Sequence, residues 1–102
     1  MITHVAFFAL KELKEEENNE ILDLLKEHQE ELKDDIIEWQ WSKNENKNLH
    51  GYNYVFIGKY KGYDSLEKAR STKSHLKHLE FFKKHYKDLE NKPTLVIDFT
   101  NK

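Results

Sequence analysis

The chain has 102 residues, 35% of them charged and 37% hydrophobic, with a formal net charge of −2 and no cysteine. That length holds one domain with a single core, and interleaved charges of both signs give no field suited to a phosphate backbone, so nucleic acid is not an expected partner. Without cysteine there is no disulfide framework, thiol nucleophile or thiolate metal site.

The opening "MITHVAFFALKE" has no basic n-region, and its apolar run is too short for a signal peptide or membrane span, which leads to an expectation of a cytoplasmic protein. Residues 2–10 read as a strand with Val5, Phe7 and Ala9 on one face and Ile2, Ala6, Phe8 and Leu10 on the other. Ile21, Leu22, Leu24, Leu25, His28 and Leu32 then recur at helical spacing, predicting an amphipathic helix over 15–33. "IIEWQWS", 36–42, alternates as a strand, the Asn-rich 43–51 is a loop, and "YNYVFIGKY", 52–60, is a third strand with apolar residues on both faces.

Asp64, with Glu67 three residues on, predicts a capped helix start. Ser71, Thr72 and Ser74 suggest an interruption before a longer helix over 75–89, whose stripe includes Leu79, Phe82, Tyr86 and Leu89. Pro93 closes the connection to a last strand, 94–100, in which Leu95, Ile97 and Phe99 oppose Val96 and Asp98.

The order β-α-β-β-α-β is that of an α+β, ferredoxin-like fold: a four-stranded antiparallel sheet with its helices on one face. Strands one and three carry large apolar residues on both faces, so the face without helices is expected to bury itself against a second copy in a homodimer.

Three of the six histidines, His75, His78 and His85, lie on the last helix. Two imidazoles at i, i+3 supply half a tetrahedral shell, and His85 stands two turns, roughly 10 Å, from His78, so no metal site is expected. His28 and His85 read as structural or surface residues. His4 and Asp98 are polar residues among apolar ones on strands that a 4-1-3-2 order makes adjacent, and with the helix histidines they can project into one cavity between sheet and helices. A histidine there titrates near neutrality and can serve as general acid or base. Tyr54, Trp39 and Phe82 are expected to line this pocket with His75, making it fit for a flat, apolar or phenolic ligand. No serine-hydrolase elbow, phosphate-binding glycine loop or dinucleotide fingerprint is present.

"ITHVAFFALKE", "GYNYVFIGKYKGYDSLEKA", "SHLKHLEF" and "LVIDFT", in this order and spacing, resemble the stress-responsive dimeric α/β-barrel (Dabb) domain over nearly the whole chain. The resemblance implies a ferredoxin-like protomer pairing through its sheet into a barrel. In cyclase-like members the second histidine of an H-P-x-H segment acts as base on a linear polyketide, which corresponds to His78, with the strand-one histidine, His4, lining the pocket. Leu76 stands where the family often has proline, and Thr72 stands where the cyclase has a tyrosine that assists the histidine. Some plant members bind magnesium, but no ligand set for it maps onto this chain, and no cofactor is expected. The reading is a small-molecule binder of uncertain biochemistry, with cyclase-like acid–base chemistry on His78 and His4. The alternatives are a cofactor-free monooxygenase of the related barrel type and a non-enzymatic stress-response module.

Overall fold

A computed structural model describes residues 1–46, 51–90 and 93–100. Four strands, β1 (Ile2–Phe8), β2 (Ile36–Lys43), β3 (Tyr54–Tyr60) and β4 (Thr94–Thr100), form one antiparallel sheet in the order β2-β3-β1-β4. Three helices, α1 (Glu15–Glu31), α2 (Tyr63–Arg70) and α3 (Lys73–His85), accompany it, the second and third separated at the expected interruption. The architecture is ferredoxin-like. Of the Asn-rich loop, residues 47–50 lie outside the described residues, and Lys43 belongs to β2.

Alternation along the strands sorts side chains between the two faces. Ile2, Ala6 and Phe8 of β1 and Tyr54, Phe56 and Tyr60 of β3 are buried on the helical side. They join Leu10, Ile21, Leu25, Phe81 and Phe82 in one cluster, and Leu32, Ile36, Leu66 and Ala69 in a second beneath α2. The opposite face carries Ile57, Val5 and Ile97 in one row across three strands and Val55, Phe7 and Leu95 in the next, with Phe99 beyond. Leu95, Ile97 and Phe99 are 44%, 47% and 49% exposed, so an apolar band lies open along β4.

Several boundaries differ from the sequence reading. Helix α2 starts at Tyr63 with Gly62 in the cap position and no side chain capping it, so Asp64 falls within the first turn instead of before it. At α1 the side chain of Glu17 does accept from the Lys14 amide, at 2.8 Å. Helix α3 stops at His85 because Tyr86 turns extended and bridges to Leu10, while Lys11 N–H donates to His85 O at 2.8 Å and Lys87 N–H to Ala9 O at 3.1 Å. This antiparallel tie to the tail of β1 ends the helix four residues early and leaves Leu89 exposed.

Candidate functional site

A cavity of about 380 Å³ opens between sheet and helices where the two core clusters meet. Its walls are mostly apolar, from Phe8, Phe56, Phe82, Leu25 and Leu66, and into them are set His4, His28, His75, His78, Tyr60 and Arg70.

His4 reaches the cavity because residue 4 shares the helical side of β1 with Ile2, Ala6 and Phe8. Across the sheet it sits in a row with Trp39, Gly58 and Asp98. The absent side chain at Gly58 matters here: a Cβ would come within 2.9 Å of the Tyr60 ring and 3.0 Å of the Phe56 ring. Those rings flank the His4 imidazole, with centroids 6.4 and 6.2 Å away. His4 Nδ1 lies 2.5 Å from Asp98 Oδ1. An ionised carboxylate can only accept, so Nδ1 carries the proton and, in the neutral ring, Nε2 keeps a lone pair. Asp98 also stands 3.6 Å from the Arg70 guanidinium.

His78 is buried on α3, and its Nε2 lies 3.1 Å from the carbonyl oxygen of Leu24 on α1. A carbonyl only accepts, so Nε2 is the protonated nitrogen and Nδ1 is the basic one. Burial lowers the pKa of His78, with the nearby His75 adding to the shift, so the neutral imidazole is the form held at neutral pH. His75 is also lowered, chiefly by burial, then by His4 and Arg70. No described side-chain nitrogen or oxygen is both buried and unpartnered, so the basic nitrogens of His4 and His78, which have no hydrogen-bond partner among the described residues, are open to solvent or ligand.

His28, read from the sequence as structural or surface, is 3% exposed and belongs to the cavity wall. Its ring meets His78 edge-on with centroids 5.0 Å apart. Its Nδ1 lies 2.8 Å from Ser74 Oγ and its Nε2 3.4 Å from Tyr60 Oη. Burial first, then the neighbouring His78 and His75, push its pKa down to about 4. Tyr60 is pushed up by burial and then by Asp98.

Two expected pocket residues lie elsewhere. Trp39 is half-buried against the cores with its Nε1 donating to Gln29 Oε1 at 2.9 Å, on the edge strand β2 beyond a register shift between Ile36 and Glu38. Tyr54 accepts from Leu13 N–H at 3.1 Å and stacks on Trp41 at 5.4 Å, lining a separate shallow cleft. Asp98 does not line the cavity but backs His4. Phe82 lines it, stacked on Phe8 at 4.0 Å, and so does His75. Leu79, placed by its spacing in the helix stripe, is half-exposed at the cavity edge. His85 lies apart, against Phe81 and 3.5 Å from Glu17. Among the described residues no group of three or more histidine or carboxylate side chains is placed to hold a metal ion.

The family described as Stress responsive A/B Barrel Domain matches residues 2–101. The chain belongs to the Dabb family. No curated protein matches it. Solved structures that resemble this Dabb chain include a dimeric ferredoxin-like protein of unknown function from Jannaschia sp. CCS1, with TM-score 0.79, 14% identity and 98% of each chain covered. A hydroxynitrile lyase from Passiflora edulis has TM-score 0.75 and 13% identity over 96% of this chain and 90% of the lyase. An antibiotic biosynthesis monooxygenase has TM-score 0.66 and 16% identity over 99% and 98%. At these identities the likeness is one of fold. It leaves the Dabb histidines here to be read from their own surroundings.

Proposed function

We propose that this Dabb protein binds a small, largely apolar or aromatic molecule in the cavity and performs cofactor-independent proton transfer on it, with His78 as general base. The observation that carries this reading is that His78 and His4 line one cavity, each with one ring nitrogen tied to an acceptor and the other left basic. His78, kept neutral by burial, removes a proton through Nδ1, and His4, oriented by Asp98, returns one through Nε2 or holds a developing oxyanion once it is itself protonated. Thr72 does not replace the cyclase tyrosine chemically: its hydroxyl caps α3, accepting from His75 N–H at 3.2 Å.

The same fold carries a lyase and a monooxygenase among its structural neighbours, so the reaction assay needs arms for each. Incubation with aromatic β-keto compounds, an aromatic cyanohydrin and, in an oxygen electrode, an anthrone tests cyclisation, lyase and oxygenase chemistry in turn. Turnover in any arm that is lost in His78→Ala and kept in His85→Ala supports the reading. Turnover in none, with the cavity able to bind the same compounds, favours a non-enzymatic stress-response module.

Pairing of two copies through the outer sheet face belongs to the same proposal, supported by the open apolar band along β4 and by neighbours described as dimeric. Light scattering at micromolar concentration should give twice the mass of one chain, and Ile97→Lys should halve it. A cytoplasmic location and the absence of nucleic-acid binding complete the proposal. No described helix is long and apolar enough to cross a membrane, and cell fractionation tests the first of these.

A further inference from the structure

The walls of the cavity divide by exposure. Phe8, Leu25, Phe56, Leu66 and Phe82 are buried, and toward β2 the Trp41 ring packs on Phe8 and Phe82, with centroids 5.8 and 5.9 Å away, closing that end. The most exposed wall residues are Leu79 on α3, Val96 on β4 and Arg70 at the end of α2. Val96 shares the helical side of β4 with Thr94 and Asp98, yet it is 47% exposed, so no helix covers the middle of this strand. Among the described residues, two polar side-chain contacts join the helical layer to β4: Tyr86 Oη to Thr94 Oγ1 at 2.6 Å and the Arg70 guanidinium to Asp98 at 3.6 Å. Thr94 and Asp98 are four residues apart on one strand, a span of roughly 13 Å. The two contacts therefore mark the ends of a slot whose lips are Leu79 and Val96.

We infer that this slot is the entrance to the cavity and that Arg70 is its latch. The inference rests on the proposed binding cavity and concerns the route into it. At the Tyr86 end the chain is also held to the tail of β1 by backbone hydrogen bonds, Lys11 N–H to His85 O and Lys87 N–H to Ala9 O, so that end stays closed and acts as the hinge. At the other end the helical layer is held to β4 by the Arg70–Asp98 pair, which is partly exposed, weak and screened by salt. The other guanidinium nitrogen is anchored on its own helix, 2.6 Å from Glu67, so Arg70 leaves with α2 when the slot widens. Asp98 keeps its bond to His4 Nδ1 through its other oxygen, so opening spares the orientation of His4. The slot lies on the helical side, and pairing of two copies through the outer sheet face leaves it clear.

Stopped-flow fluorescence with 2-naphthol, a flat and uncharged compound, tests this on the intact protein. Entry through a latched slot is limited by the fraction of molecules in which it is open. Arg70→Met removes the latch and keeps an apolar stem, so the on-rate and off-rate should both rise at least about threefold while the affinity stays within about twofold. Raising salt from about 20 to about 500 mM should speed entry into the wild type at least about twofold and leave Arg70→Met unchanged, a response that an arginine of merely structural importance does not give for an uncharged ligand. Leu79→Trp, which fills the slot from its lip, should slow both rates. Unchanged rates in Arg70→Met, or a wild-type on-rate indifferent to salt, would overturn the latch. Unchanged rates in Leu79→Trp would put the entrance elsewhere and overturn the slot, and in these cases the cavity reading stands. If 2-naphthol does not bind at millimolar concentration, the cavity reading falls, and the entrance falls with it.

Discussion

The imidazoles of His28 and His78 meet edge-on in the cavity wall, with ring centroids 5.0 Å apart, one ring from α1 and the other from α3. Neither can take up a proton without burying a cation beside the other. His28 faces His78 and His75 on α3, His4 on β1, Tyr60 on β3 and Glu31 on its own helix, and its pKa is held down from 6.5 to about 4.

That depression ties stability to pH. The unfolded chain protonates His28 near 6.5 while the folded chain resists until about 4, so the unfolded state binds more protons in between and stability falls as pH falls. The contribution is intact above pH 6.5, and roughly 2 kcal/mol of it is gone by pH 5. Urea midpoints measured from pH 7.5 to pH 5 should decline, and His28→Gln should flatten the decline even where it lowers the starting value. An equally steep decline in His28→Gln would show that other groups carry the effect.

Asn53 works as a short piece of strand. Its side chain accepts from Leu10 N–H at 2.9 Å and donates to Leu10 O at 2.7 Å, where β1 has run past its pairing with β3. Leu10 is fully buried, so Asn53→Ala leaves both backbone groups without water or partner and should cost roughly 2–4 kcal/mol. Asn53→Asp keeps the acceptor, but its carboxylate faces the Leu10 carbonyl. It should be at least as damaging, which chemical denaturation of the two variants can compare.

Phe82 stacks on Phe8 at 4.0 Å and forms part of the cavity wall. Truncation to alanine should cost about 3–5 kcal/mol and enlarge the cavity, whereas Phe82→Leu should lose less and still close it. Thermal unfolding gives the first comparison. Crystal structures of the two variants give the second, and an unchanged cavity in Phe82→Ala would mean that the helices collapse to fill the gap.

The strands and their faces were legible because period-2 alternation is local: it placed His4 among Ile2, Ala6 and Phe8, and opposite Asp98 once the strand order was set. The apolar outer face was legible for the same reason. The histidine cluster was less so. His28 lies in register with Ile21, Leu25 and Leu32, and that spacing was the signal for its burial, yet a single histidine in an apolar stripe says nothing of what it faces. The partners Ser74 and Tyr60 come from α3 and β3, 46 and 32 residues away, and only packing reveals them. Trp39 and Tyr54 were misplaced because aromatic residues on an inward face serve core, cleft and cavity alike. Tertiary position decides among these. The early end of α3 was hidden because Tyr86 continues the helical stripe in sequence while its backbone bonds to β1.

The central claim is that His78 presents a neutral, basic Nδ1 to a molecule in the cavity, and the ring nitrogen spectrum of His78 tests it most directly. Histidine-labelled protein at pH 7 should show Nε2 protonated and Nδ1 bare, and addition of 2,4-dihydroxyacetophenone should move the Nδ1 resonance while Nε2, bound to Leu24 O, stays in place. A proton found on Nδ1, or a ligand response confined to Nε2 or to His85, would contradict the account.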